Sequence, residues 1–148
     1  MAYPLLQKYA RFLTDHCLDE FTRLALQRAQ EVQLPLLQLF HHLSEQQLFA
    51  YSLASNQALL KSLIDGVAEE AHLNTLQRWK TNQVLDVPSQ SVDARDVAFT
   101  FHTRKHAFYQ LLVRYTQDLE IYQNLVGEID FFGSTKKIMI DKKTAARW

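Results

Sequence analysis

From Pro4 to about Gln33, Leu5, Leu6, Tyr9, Phe12, Leu13, Cys17, Phe21 and Leu24 recur at steps of three and four. That spacing predicts amphipathic helix, with a break near Cys17 to Asp19. Pro35 opens a short apolar turn, "LPLLQLF", sized for one small helix. Ser44 and Gln47 have the S-x-x-Q spacing of a capping box and announce a helix ending near Gly66. Its buried stripe takes Leu48, Tyr51, Leu59 and Leu63, with Ser52 and Ser55 on the same side. A further helix is predicted from about Val67 to Asn82, carrying Leu73, Leu76 and Trp79, and the polar stretch around Pro88 is the clearest loop.

Asp93 is the predicted cap of a long helix reaching about Tyr115. Thr116 is the predicted cap of another, running from Gln117 through Phe132 toward Ile140. A chain reversal at "YTQD" makes these two an antiparallel pair. Three glycines and three prolines in 148 residues are too few for a turn-rich β domain. The expected fold is therefore all-α, one domain of five or six helices over residues 1–140, with 141–148 as a flexible tail or linker.

Charge narrows the partners. Sixteen basic residues balance sixteen acidic ones, which removes the positive field that nucleic-acid binding usually needs. No apolar run approaches the ~18 residues of a membrane span, and the first residues lack a signal-peptide pattern, so a soluble, cytoplasmic chain is expected. Cys17 is the one cysteine, which excludes an intrachain disulfide and a thiolate-rich metal site.

Candidate chemistry concentrates in "FTFHTRKHAFYQ", residues 99–110. At 100° per residue, Val97, Phe101, Arg104, Phe108, Leu111, Leu112 and Tyr115 share an inward face. Arg104 is the one charge on it, and must find a carboxylate, carbonyls or a bound anion, or else reach out to water. Phe101, Arg104, Phe108 and Tyr115 are the ligand-binding candidates. His102, His106, Tyr109 and Val113 form a second stripe, expected to meet a neighbouring helix or subunit. The His102/His106 pair has the i,i+4 spacing of zinc ligands but reads H-T-R-K-H where metalloproteases have H-E-x-x-H, and Arg104 and Lys105 repel a cation. No metal site is expected.

Other chemistries lack their motifs. There is no C-x-x-C-H haem attachment, no phosphate-binding glycine loop and no partner pattern around Cys17. Glu69, Glu70, Glu128 and Asp130 read as ordinary solvated acids, so no catalytic residue is expected. Leu119, Tyr122, Val126, Ile129 and Ile140 follow three- and four-residue steps along the last helix, a seam interrupted by Gly133 and Lys136.

The segments "LSEQQLFAYSLASNQALLKSLIDG" and "HTRKHAFYQLLVRYTQDLEIYQNLVGEIDFF" together resemble the N-terminal sensory domain of RsbR-type stressosome proteins and related domains ahead of PAS and histidine-kinase modules. The resemblance covers about 90 of the 148 residues. It implies a globin-like fold without haem or other cofactor, dimerisation through the last helices, and a signal passed along the C-terminal helix to an output module. On that basis His102, His106, Tyr109, Val113, Tyr122, Val126 and Ile129 are the dimer-interface candidates. With no output domain after Trp148, the chain reads as an isolated sensor or a stand-alone relative. The competing expectations are a haem-binding sensor globin, a small helical hydrolase or metal enzyme, and a purely structural interaction module.

Overall fold

Cys17 divides the first apolar stripe into two helices, α1 (Pro4–His16) and α2 (Leu18–Glu31). The computed structural model describes the backbone of residues 3–68, 70–71 and 94–145, and the side chains of that span except at 35, 36, 39, 94–99 and 134–145. A 3-10 turn (Pro35–Phe40) follows, then α3 (Glu45–Ile64), α4 (Ala94–Tyr115) and α5 (Leu119–Ala145). The described residues contain no strand, and the protein is all-α. The helix expected from Val67 to Asn82, the loop around Pro88 and the Asp93 cap fall almost wholly outside the described residues.

Local chemistry sets the helix ends. Gln47 N–H donates to the Ser44 hydroxyl at 3.1 Å, and Ser44 N–H donates to the Gln47 side chain at 2.9 Å, so the capping box forms as its spacing requires. At the far end of α3, Val67 N–H reaches back to the Ser62 carbonyl at 2.9 Å while Gly66 takes φ 74°, a conformation that suits glycine. The end of α2 uses the same wrap, from Leu34 N–H to the Ala29 carbonyl at 2.9 Å, but with Gln33 in the left-handed position at φ 53°.

The start of α1 is closed from a distance. Pro4 needs no partner for its nitrogen, and the next two donors, Leu5 and Leu6 N–H, both reach Glu128 Oε1 of α5 at 3.1 and 3.0 Å. A carboxylate from the other end of the sequence does what a local capping side chain does elsewhere, and its charge also complements the helix dipole. Glu128 is thus a structural cap, which corrects its reading as a solvated acid.

Helix α4 lies against α2 on one flank and α5 on the other, while α1 packs on α3 and α5. The core is built from Leu6, Tyr9 and Leu13 of α1, Phe21 of α2, Leu60 and Leu63 of α3, Phe108 and Leu112 of α4, and Leu125, Ile129 and Phe132 of α5. Burying each of these large apolar side chains contributes about 1.5–3 kcal/mol.

Two expectations for the last helix are corrected. Asp118, not Thr116, caps it: Asp118 Oδ1 accepts from Ile121 N–H at 3.1 Å, and the Thr116 hydroxyl accepts from Asp118 N–H at 3.1 Å. The helix continues to Ala145, so residues 141–145, expected as flexible tail, are helical. Gly133, which interrupts the apolar seam, has a packing role: a Cβ there would sit 2.7 Å from Phe101 Cε1, so the glycine lets the α4 ring lie against the α5 backbone.

Candidate functional site on helix α4

The aromatic residues of the inward stripe join one continuous layer. Phe101 meets Phe132 with ring centroids 5.3 Å apart, Phe108 meets Phe21 at 4.9 Å, and Tyr115 meets Tyr9 at 5.0 Å and Phe12 at 5.1 Å. Phe101 and Phe108 are buried and Tyr115 is half-buried, so these three ligand-binding candidates rest on protein rings. The Tyr9 hydroxyl donates to the Phe108 carbonyl at 2.5 Å, and burial raises its pKa far enough to hold the phenol neutral.

Arg104 projects from the same stripe toward α3. Its Nε donates to Asn56 Oδ1 at 2.8 Å and its Nη2 donates to Ser55 Oγ at 2.6 Å. Asn56 Nδ2 in turn donates to the Thr22 hydroxyl of α2 at 3.1 Å. Asn56 and Thr22 are buried. The network therefore ties α2, α3 and α4 through neutral groups, and no ion pair of Arg104 is formed among the described residues. Loss of hydration pushes the Arg104 pKa down to about 10, with the nearby Tyr51 acting in the opposite sense.

The second stripe faces α5 and solvent. Lys105 Nζ lies 2.8 Å from the Asp130 carboxylate and 5.7 Å from the Tyr109 ring centre, and the Tyr109 hydroxyl also donates to Asp130. Hydrogen bonds from Lys105 and Tyr109 hold the Asp130 carboxyl below its ordinary pKa. Burial, and then the bond to Asp130, raises that of Tyr109. Asp130, expected as an unattached acid, is the bolt of the α4/α5 hairpin.

His102 is exposed and His106 half-buried; among the described residues no three His, Cys, Asp or Glu side chains converge as a metal site would require. His16, His41 and His42 are exposed as well, and His72 lies outside the described residues.

The interface candidates separate. Val113 is 61% exposed, and Leu119, which follows the turn in sequence, is 69% exposed. Tyr109, Tyr122 and Val126 are half-buried along the same hairpin. Ile129 is different. It is 0% exposed in a single chain, because its side chain fills the core beside Leu125 and Phe132. Its expected place at a dimer interface is corrected to the interior.

Asn56, Thr22 and Glu128 were not identified from sequence. Asn56 carries a readable signal, since it stands on the helical face of Leu59, Leu60 and Leu63, where a polar side chain needs a partner. Thr22 and Glu128 give no comparable signal, because each acts across the fold on residues far away in sequence.

Among the described residues, no helix is long and apolar enough to cross a membrane. No family model, curated protein or solved structure matches this chain.

Proposed function

We propose that this chain is a non-enzymatic sensory domain of globin-like type, without haem, that pairs with a second copy along the outer seam of α4 and α5 and passes a signal along α5. The observation that carries the reading is the pair of exposed aliphatic side chains at the hairpin turn, Val113 and Leu119, continued by half-buried Tyr109, Tyr122 and Val126. A self-complementary patch of this kind suits a two-fold dimer. Helix α5 has 27 residues, about 40 Å at 1.5 Å per residue, a length suited to carrying a shift in packing beyond the seam.

Sedimentation equilibrium with an absorption spectrum of the untreated protein tests this. The expected result is a colourless dimer that becomes a monomer in Val113→Glu/Leu119→Glu, since both positions are exposed and the substitutions leave the core intact. A monomeric wild-type protein would remove the dimeric reading. A Soret band would replace it with a haem-binding one.

A further inference from the structure

The guanidinium of Arg104 has two hydrogen-bonding edges. The side-on edge, Nε and the near Nη2 hydrogen, is filled by Asn56 Oδ1 at 2.8 Å and Ser55 Oγ at 2.6 Å. The end-on edge, Nη1 and the second Nη2 hydrogen, has no hydrogen-bond partner among the described residues. We propose that this open edge binds the carboxylate of a small organic acid.

Three observations converge on that ligand class. First, the edge is held in place. Ser55 and Asn56 are consecutive on α3, and Asn56 is fixed by its own bond to Thr22 at 3.1 Å, so the planar group cannot turn freely. Little conformational freedom remains to be lost when a ligand arrives. Second, the partners already present are neutral. A guanidinium that has lost part of its hydration, with only amide and hydroxyl oxygens for company, lacks a counter-charge within the described residues, and the lowering of its pKa to about 10 reflects the lost hydration. An anion at the open edge supplies the missing charge. Third, the shape selects the anion. Two parallel N–H groups match two carboxylate oxygens in a fork, a geometry that a spherical halide cannot use. Arg104 as a whole is half-buried, and none of its nitrogens is among the buried side-chain atoms left without a partner, so the open edge remains in contact with solvent.

The inference deepens the sensory reading by naming a ligand class, and binding is measured apart from dimerisation so that either can fail alone. The probes are sodium acetate and sodium formate, titrated against sodium chloride at matched ionic strength and followed by thermal unfolding and calorimetry. Acetate and formate are expected to raise the Tm saturably beyond chloride, as a ligand specific to the folded state does. Arg104→Lys keeps a charge but loses the fork, and is expected to bind acetate roughly tenfold or more weakly. Equal shifts with acetate and chloride in the wild-type protein would overturn the proposal without any variant, and so would acetate binding undiminished in Arg104→Lys. It also falls if the wild-type protein binds no acetate at all. A monomer that binds acetate through Arg104 retains the site and loses the dimer; a dimer that binds no carboxylate does the reverse.

Discussion

Arg104 and Lys105 are neighbours in sequence and both cations, yet α4 sends them to opposite flanks with opposite solutions. Arg104 turns toward α3 and α2, loses part of its hydration, and is met by an asparagine and a serine. Lys105 turns toward α5, is half-buried as well, and is met by the Asp130 carboxylate at 2.8 Å. Both side chains are half-buried, but the lysine has a counter-charge and the arginine has none among the described residues. Lost hydration at the guanidinium, more than ion pairing at the ammonium, decides which of the two matters to stability. A surface ion pair gains little because water already solvates both partners, whereas any lost bond to a dehydrated guanidinium goes unreplaced.

The sharpest way to break the contrast is Asn56→Ala. It strips the acceptor from Arg104 Nε and the donor from Thr22 together, and should lower unfolding stability by about 2–3 kcal/mol in urea titration. A loss as small as that of a surface variant would show that water replaces the amide, and the two flanks would then be alike. Gly133→Ala probes the α5 flank through shape alone. The new methyl would lie 2.7 Å from the Phe101 ring, an overlap costing about 1–3 kcal/mol, offset by about 1 kcal/mol of better helix propensity, so a net loss near 1 kcal/mol is expected.

Asp130→Asn should have the smallest effect, under about 1 kcal/mol and smaller still in high salt, because the carboxylate is 52% exposed. Its pH dependence has a definite sign. The folded-state pKa is depressed, so the stabilisation is present above the ordinary aspartate pKa and is lost as pH falls through and below that range. The wild-type protein should therefore lose stability more steeply than Asp130→Asn on acidification below about pH 4, as read by urea midpoints.

The sequence reading succeeded where structure is local and periodic. The break at Cys17, the Ser44/Gln47 box and the stop at Gly66 each depend on residues within one or two turns, and each appears as its spacing requires. The two stripes of α4 were also legible, because 100° per residue fixes which side chains share a face. Side-chain periodicity could not tell which neighbour each face would meet. Ile129 follows a seam pattern that suits a dimer as well as a core, and only the packing of α5 on α1 and α4 decides for the core. Gly133 read as an interruption for a similar reason: its purpose lies in a ring thirty-two positions earlier, at Phe101. Within the candidate site, Arg104 stood out as a misplaced charge, while Asn56 and Thr22, which orient it, come from two other helices.

The Glu128 cap has a consequence for how the chain is made. Its carboxylate lies 123 residues downstream of the Leu5 N–H it accepts from. At about 5–20 residues per second, a ribosome takes roughly 6–25 seconds to travel between them. Throughout that interval the first turn of α1 exists without the carboxylate that later holds it, its amides open to solvent or to a chaperone. The first turn of α1 is thus made early and secured late, and its fastening awaits the hairpin that completes the core.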